Sequence, residues 1–407
     1  MLTSASTTSS PRAAELARQG RGRVGGGLGL RAILDYDGPE TIRIRKYATG
    51  THVLLEELGV KTGATPRDVV WSRNRARLYR YHAKGGRGRR RAVPILLLYG
   101  FVLKPYILDL VAGNSLVEHL VEAGFDVYLF DFGISTAEDA GLSLEDLVLD
   151  YIPGAIEEVL KTSGAAEISL FGHSQGGTLS AMYASLFPAR PVKNLVLFSA
   201  PTDFAPRDPG LFGLWTLATR NSGAFFDPAV IPRLWGNLPT DLASEMIQLA
   251  AAIQAIGVSN AARPFGGVYD ATLGKAQRLA EHDVSVHSWL AVCKWVDDAA
   301  PFPGETFQRW VKDLYQRNAL VKGRLKLGGE RVDLSSIRCA VLNVSGEWDY
   351  VVPSSQTKPT TALAQSTDKE SVSLDAGHVG MLVGPAAAAS VWPLVRKWLE
   401  PRSSQAA

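Results

Sequence analysis

A glycine-flanked serine is the feature of this chain best suited to covalent chemistry. Residues 172–176 read Gly-His-Ser-Gln-Gly, with an apolar, strand-like run before them and a helical stretch after them. A sharp strand-to-helix turn, the nucleophile elbow, exposes a serine in this pattern. Glycines permit such a turn because they tolerate close backbone contacts and positive φ angles. We therefore predict Ser174 as a nucleophile.

Attack by Ser174 on a carbonyl would create an oxyanion that needs hydrogen-bond donors. The backbone N–H of Gln175, at the start of the helix, is the first candidate. A second donor is expected from the loop after the apolar run 94–99, where the backbone N–H of Phe101 or of Val102 fits. The sequence thus predicts an oxyanion hole formed by Gln175 and Phe101.

A serine hydroxyl is a weak nucleophile, so it needs a base that takes its proton. The chain has seven histidines, and only His378 follows the last predicted strand, in a glycine-flanked loop. We therefore predict His378 as the base. His173 lies inside the elbow and is expected to tune the pocket, while packing or surface roles are expected for His282 and His287.

Two aspartates compete as the carboxylate that orients the base. Asp349 follows the penultimate predicted strand, whereas Asp203 follows the strand after Ser174. The first placement is the usual one for an acid that precedes the histidine in the chain, so Asp349 is favoured and Asp203 stays open. Asp375 is too near His378 in sequence. The predicted catalytic triad is Ser174, Asp349 and His378.

Short apolar runs alternate with longer amphipathic stretches along the chain. The predicted strands cover residues 77–81, 94–99, 126–131, 168–171, 194–199, 340–345 and 371–374. The predicted helices cover 115–122, 144–162, with Ser143 as its N-cap, and 175–186. Such alternation is typical of a mostly parallel sheet with helices on both faces. Together with the elbow, it predicts an α/β-hydrolase fold.

One insertion interrupts this alternation of strands and helices. Residues 206–330 are rich in Trp, Phe, Pro and Ala with few strand-like runs, which predicts a mainly helical cap between two parts of the core, 41–205 and 331–402. Residues 1–40 are expected to form a disordered tail, and 403–407 a short second tail. Four aromatic residues are either pocket-lining or core residues of the cap: Phe212, Trp215, Phe225 and Trp235.

Composition narrows the classes of function. The 407 residues are 46% hydrophobic, enough for one large core or two modest ones. The net charge of +3 comes from mostly interleaved charges, so no nucleic-acid partner is expected. The basic run 84–91 is interpreted as a solvated turn, or alternatively as a contact to a polyanion or cofactor phosphate.

The apolar runs and the two cysteines indicate the compartment and the cofactors. The longest apolar run, 93–103, is about half as long as a membrane span, and the N-terminus lacks a continuous apolar segment. We therefore expect no transmembrane segment and a cytoplasmic location. Cys293 and Cys339 have no metal-ligand spacing and fit a reducing compartment. No metal or redox cofactor is expected.

Longer motifs resemble a known family. Gly124-Phe-Asp-Val-Tyr-Leu-Phe-Asp-Phe-Gly133, Asp349-Tyr-Val-Val-Pro353 and Gly377-His-Val-Gly380 are similar to stretches of polyhydroxyalkanoate synthases, particularly the short class whose catalytic subunit works with a partner protein. Further matching stretches cover residues 94–99, 104–110, 192–197, 294–298, 310–323 and 327–334. The resemblance extends from about residue 65 to 401, and several of its motifs lie in the predicted cap.

The resemblance implies an acyltransferase. Such an enzyme loads a 3-hydroxyacyl group from a coenzyme A thioester onto the elbow nucleophile and transfers it to the hydroxyl end of a growing polyester. His378 would deprotonate the nucleophile and the hydroxyl in turn, with Asp349 supporting it. The resemblance also implies a partner subunit or a homodimer, and association with polyester granules. The family elbow carries cysteine, whereas this chain carries Ser174.

The serine leaves alternatives open. A thiolate exchanges acyl groups with thioesters at nearly equal energy, whereas a serine ester is lower in energy and must be resolved by a hydroxyl group or by water. If the cap excludes water, the enzyme is an acyltransferase; if water enters, the same triad makes an esterase or a polyester depolymerase acting on ester substrates. A non-catalytic granule-associated protein is a third alternative, against which the intact triad argues.

Overall fold

The computed structural model describes residues 61–83, 90–205, 227–238, 240 and 284–403. Contacts divide the chain into two units. One, the sheet unit, comprises residues 62–243 and 298–407. The other comprises 1–61 and 244–297, of which Lys61 and the helix Val284–Asp297 are described. The central sheet and all predicted site residues lie in the sheet unit.

Ten strands are described in the sheet unit: β1 (Arg67–Arg73), β2 (Ala76–Tyr81), β3 (Ile95–Leu98), β4 (Val127–Asp131), β5 (Ile168–His173), β6 (Val192–Phe198), β7 (Lys326–Leu327), β8 (Glu330–Arg331), β9 (Ala340–Gly346) and β10 (Lys369–Leu374). Eight of them form one sheet in the order β1-β2-β4-β3-β5-β6-β9-β10. β2 pairs antiparallel with β1 and β4, and the other neighbours are parallel. β7 and β8 form a separate hairpin.

Helices connect the parallel strands. The described α-helices are α1 (Leu116–Glu122), α2 (Leu144–Asp146), α3 (Ile152–Ser163), α4 (Gln175–Leu186), α5 (Val230–Trp235), α6 (Val284–Asp297), α7 (Gly304–Arg309), α8 (Ser354–Leu363) and α9 (Trp392–Arg402). Three π-helical segments are described, at Leu147–Tyr151, Trp310–Gln316 and Ala387–Val391. None of the helices in the described part of the chain is long and apolar enough to cross a membrane.

The predicted strands and helices are present, with small shifts at their ends. Ser143 caps α2 as predicted: its hydroxyl accepts the N–H of Asp146, whose carboxylate accepts the N–H of Ser143. The predicted helix 144–162 contains a π-helical segment between α2 and α3. β1 was missed because it is a largely exposed edge strand with an irregularity between Val69 and Trp71, so it lacks a regular apolar alternation.

The central strands are apolar because both faces are covered. All four residues of β3, Ile95 to Leu98, are 0% exposed, the pattern of a parallel strand buried on both sides. Each such side chain contributes about 1.5–3 kcal/mol through its burial. The carboxyl ends of β3, β5, β6, β9 and β10 lie at one edge of the sheet, and the loops that follow them carry the predicted site residues.

The predicted cap lies partly outside the described residues. Within 206–330, the structure describes α5, α6, α7, one π-helical segment and the β7–β8 hairpin. Phe212, Trp215 and Phe225 lie outside the description, as do the tail 1–40 and the basic residues 84–89, whereas Trp235 ends α5 and is exposed. The boundaries and helical character of the cap therefore stay a prediction.

Candidate active site

Ser174 lies on a strained turn between β5 and α4. Its backbone has φ 51° and ψ −122°, a conformation that non-glycine residues rarely adopt. Its N–H donates to the carbonyl of Phe198, at the end of β6, over 2.8 Å. Strain of this type costs about 1–3 kcal/mol and persists only where the surrounding structure fixes it. The neighbouring strand provides that constraint, and the predicted elbow geometry is present.

Glycines allow this turn through close packing. A Cβ atom on Gly172 would lie 2.4 Å from the Cα of Gly177, and one on Gly176 would lie 2.3 Å from the carbonyl oxygen of Leu98. The close backbone contacts predicted for these glycines are thus confirmed, with the helix at Gly172 and with β3 at Gly176. The predicted need for positive φ at these glycines is wrong, because the positive φ falls on Ser174 itself.

Substituting Gly176 with alanine is expected to lower the free energy of unfolding by about 3 kcal/mol, because its Cβ meets the backbone of β3 and no side chain can move aside. The matched control is Gly141→Ala, since a Cβ at Gly141 meets nothing within 4 Å. Urea unfolding of both variants measures the difference. Equal stability of the two would contradict the close packing at Gly176.

His378 and Asp349 form a buried hydrogen-bonded pair after β10 and β9. Nδ1 of His378 lies 2.8 Å from Oδ2 of Asp349, and the two side chains are 9% and 0% exposed. A carboxylate oxygen accepts, so Nδ1 carries the proton and Nε2 is left to take another. The structure brings together the predicted base and the favoured acid.

Four donors stabilise the Asp349 carboxylate. Oδ1 accepts the backbone N–H groups of Val351 and Val352 at 3.0 and 2.7 Å, and Oδ2 accepts the Ser199 hydroxyl at 2.5 Å besides His378. Hydrogen bonds to a charged acceptor offset the loss of hydration on burial. The carboxylate is therefore held in one orientation towards His378.

Asp203 has different partners. Its Oδ1 accepts from the Asn318 side chain at 2.7 Å and from the backbone N–H of Ala205 at 2.9 Å. Asn318 in turn accepts the N–H of Phe204 at 2.8 Å. Asp203 thus holds the loop after β6 against Asn318, and the geometry favours Asp349 over Asp203 as the acid.

Ser199 is a site residue that sequence reasoning missed. It follows β6, is fully buried and has a positive φ of 42°. Its hydroxyl donates to the same carboxylate oxygen as His378. A serine after a strand is common in turns, so the sequence carries no signal for this contact.

Replacing Ser199 with alanine is expected to lower kcat about tenfold, since it removes one hydrogen bond of about 1.5 kcal/mol to the charged group that orients His378. The control is Ser345→Ala, another buried serine at this sheet edge, whose hydroxyl contacts Val372 O at 3.5 Å. Steady-state ester cleavage measures both variants. The same kcat for both would remove Ser199 from the site.

The two residues predicted to form the oxyanion hole, Gln175 and Phe101, are in contact, with one difference from expectation. Gln175 is the first residue of α4, and first-turn N–H groups have no partner within a helix. The N–H of Phe101 donates to the Gln175 side-chain oxygen at 3.4 Å. If Phe101 binds an oxyanion as predicted, the oxyanion displaces this amide.

The described residues offer no thiolate in place of Ser174. Cys339 precedes β9 and so lies at the opposite edge of the sheet. Burial raises the pKa of its thiol to about 12, which keeps it protonated near neutral pH. The side chain of Cys293 is not among those described. Within the described ranges, no group of three or more His, Cys, Asp or Glu side chains is placed to hold a metal ion.

The Ser174 hydroxyl forms no hydrogen bond with His378 among the described contacts. The two residues are connected indirectly, because the rings of His173 and His378 lie 4.7 Å apart. Hydrogen bonds between nucleophile and base are often loose until substrate binds. The catalytic roles of Ser174, His378 and Asp349 are therefore proposals that this geometry supports.

Comparisons with known proteins show which family this chain is similar to. A protein-family model described as alpha/beta hydrolase fold matches residues 93–236 of this chain. A second family model, described as PHB de-polymerase C-terminus, matches residues 294–403. The poly(3-hydroxyalkanoate) polymerase subunit PhaC of Allochromatium vinosum is 32% identical over 371 residues, 91% of this chain and 96% of that protein. The Haloferax mediterranei subunit is 33% identical over 344 residues, 84% of this chain but only 65% of the longer relative.

A solved structure supports the fold alone. A soluble variant of monoglyceride lipase from Saccharomyces cerevisiae aligns with a TM-score of 0.52 and 15% sequence identity, over 85% of this chain and 98% of that one. The predicted α/β-hydrolase fold is confirmed, and so is the resemblance to polyhydroxyalkanoate synthases. This chain belongs to the family of the poly(3-hydroxyalkanoate) polymerase subunit PhaC.

Proposed function

We propose that this chain is an acyltransferase that builds poly(3-hydroxyalkanoate) from 3-hydroxyacyl-coenzyme A thioesters through an acyl ester on Ser174. The observation that carries the proposal is its similarity to a PhaC polymerase subunit over 96% of that relative's length. The buried pair of His378 and Asp349 supports a catalytic role, because a non-catalytic protein has no need of a base oriented by a buried carboxylate.

The first half-reaction loads the enzyme. His378 Nε2 takes the proton from the Ser174 hydroxyl as the oxygen attacks the thioester carbonyl. The oxyanion of the tetrahedral intermediate accepts from the N–H of Gln175, and from Phe101 once the Gln175 side chain is displaced. The carbon–sulfur bond then breaks and the thiolate takes the proton from His378, which leaves a 3-hydroxyacyl ester on Ser174 and free coenzyme A.

The second half-reaction extends the polymer. The hydroxyl end of a growing chain gives its proton to His378 while its oxygen attacks the ester carbonyl on Ser174. The bond to Ser174 breaks, and His378 returns the proton to the serine oxygen. One thioester has then been converted to one chain ester, and the polymer is one unit longer at its hydroxyl end.

The second candidate is a serine esterase or polyester depolymerase. Two observations favour it: the nucleophile is an oxygen, and residues 294–403 match a model described as PHB de-polymerase C-terminus. If water replaces the chain hydroxyl in the second half-reaction, the product is a free hydroxy acid. The choice between transfer and hydrolysis therefore depends on which hydroxyl reaches the Ser174 ester.

We also infer a cytoplasmic enzyme that acts at polyester granules, together with a partner subunit or a second copy. The membership in the PhaC family, whose curated relatives are named polymerase subunits, supports this inference. Fluorescence of a tagged full-length chain in polymer-producing cells tests it, since a diffuse signal without granule enrichment would contradict granule binding.

The decisive experiment supplies 3-hydroxybutyryl-coenzyme A to the purified full-length chain and follows thiol release and product size, with Ser174→Ala as control. Thiol release with polymer, lost in the control, supports the acyltransferase. Release of free hydroxy acid alone, or ready ester cleavage without thiol release, supports the hydrolase. A wild-type chain that neither releases thiol nor cleaves esters, alone or with a partner subunit, would sink both.

A further inference from the structure

His173, which precedes the nucleophile, is a fully buried titratable residue that the mechanism above does not use. It is 0% exposed. Its ring stacks on Tyr99 with a centroid distance of 5.3 Å and an interplanar angle of 1°. Its ring also contacts the ring of His378, with a centroid distance of 4.7 Å and an interplanar angle of 55°. The side chain therefore sits between the loop after β3 and the loop that carries the proposed base.

One hydrogen bond defines the protonation state of His173. Its Nε2 lies 3.3 Å from the backbone carbonyl oxygen of His378. A carbonyl only accepts, so Nε2 must carry the proton. Burial, and then the neighbouring His378, hold the pKa of His173 well below its usual value. The ring is thus neutral, with Nε2–H as donor and Nδ1 without a hydrogen-bond partner in the described part of the chain.

This contact fixes the base residue at a second point. The His378 side chain is held by Asp349 through Nδ1, and the His378 main chain is held by His173 through its carbonyl. His173 belongs to β5, and the next residue, Ser174, is tied to β6 through its N–H. The strand that positions the nucleophile therefore also positions the base.

We propose that His173 is a positioning residue, which holds the His378 loop at a fixed distance from Ser174 through the Nε2–H bond to the His378 carbonyl. The proposal rests on the proposed roles of Ser174 and His378. His173 is fully buried next to the elbow, and its Nδ1 has no hydrogen-bond partner among the described residues. Burying an unpaired nitrogen is unfavourable, and an apolar side chain of the same size would avoid this cost. A positioning role for Nε2–H explains why a polar ring is present there.

Two variants of His173 separate the hydrogen bond from the packing. His173→Phe keeps a ring to stack on Tyr99 but lacks the donor, whereas His173→Gln lacks the ring but carries an amide N–H of similar reach. The rate of Ser174 labelling by a fluorophosphonate is the readout. It reports activation of the serine by its base and does not depend on whether a chain hydroxyl or water resolves the acyl ester.

We expect His173→Phe to lower the maximal labelling rate about 10- to 100-fold with little change in the concentration for half-maximal rate, because the reacting groups are displaced. His173→Gln should recover most of this loss. Labelling of the Phe variant at the wild-type rate, or equal slowing of both variants, would overturn the proposal. Thermal unfolding of each variant shows whether a slow rate comes from loss of fold.

A measurement on the wild-type chain covers the case in which the Phe variant does not fold. Nitrogen-15 NMR of the histidine-labelled full-length chain distinguishes the two neutral tautomers. A neutral Nε2–H form of His173 at neutral pH supports the proposal, and an Nδ1–H form or a charged ring overturns it. Failure of the polymerase proposal is seen separately, as wild-type turnover without polymer. A wild-type serine that is not labelled at all would overturn both.

Discussion

Ser174→Ala is expected to lower kcat for thiol release by about 10⁴-fold or more, with the fold intact. Alanine keeps the Cβ atom of Ser174 and lacks only the hydroxyl, so no clash arises, but no acyl ester can form. What activity remains would come from water attacking a substrate polarised by the oxyanion donors. Coenzyme A release from 3-hydroxybutyryl-coenzyme A, at saturating substrate, is the measurement.

The control for this variant is Ser180→Ala, which lies in α4 about one and two-thirds turns after Ser174. The Ser180 hydroxyl donates to the carbonyl of Gly176 at 2.7 Å, so its removal costs about 1 kcal/mol of stability and leaves the nucleophile in place. Wild-type turnover by Ser174→Ala would show that another residue attacks, and would contradict the assignment of the nucleophile.

Asp349→Asn is expected to lower kcat by about 10⁴-fold, the effect of losing the acid in a serine–histidine pair. An amide in this position has one acceptor oxygen for the four donors that surround the carboxylate. If its NH₂ group faces His378, the imidazole must place its proton on Nε2, where it no longer takes the serine proton. The same turnover assay measures the loss.

Asp375→Asn is the matched control, because it makes the same change three residues before His378 at an exposed carboxylate. Asp375 accepts the indole N–H of Trp348 at 2.5 Å and joins the two loops at the surface. We expect near wild-type kcat. If Asp203→Asn removed activity while Asp349→Asn retained it, the acid would be Asp203 and the His378–Asp349 bond would be structural.

With Ser174 as the proposed nucleophile, water exclusion is more important in this chain than in an enzyme with a thiol nucleophile. A serine ester is lower in energy than a thioester, so the acyl group does not return readily to coenzyme A and waits for an acceptor hydroxyl. Ser174 is half-buried in the described structure. Residues 206–226 and 241–283 of the predicted cap lie outside the described residues. The product assay with 3-hydroxybutyryl-coenzyme A measures water access to the ester directly, as the share of free hydroxy acid among the products.

Local patterns predicted most of the fold and the residues proposed here as nucleophile and base. The apolar run of β3 and the G-x-S-x-G turn after β5 each specify backbone structure over fewer than ten residues, and such short-range signals survive without tertiary context. His378 could be predicted as the base because it is the one histidine that follows the last predicted strand. Strand β1 could not be predicted, because an exposed edge strand does not need regular apolar alternation.

The tertiary structure alone decided which partners these residues have. Asp203 and Asp349 both follow strands, and only the folded chain shows Asp349 against His378 and Asp203 against Asn318. The contacts of Ser199 with Asp349 and of His173 with His378 are likewise seen only in the folded chain. Parallel strands far apart in sequence end at one edge of the sheet, so the contacts between their loops depend on strand order and on side-chain direction, which no local pattern of residues encodes.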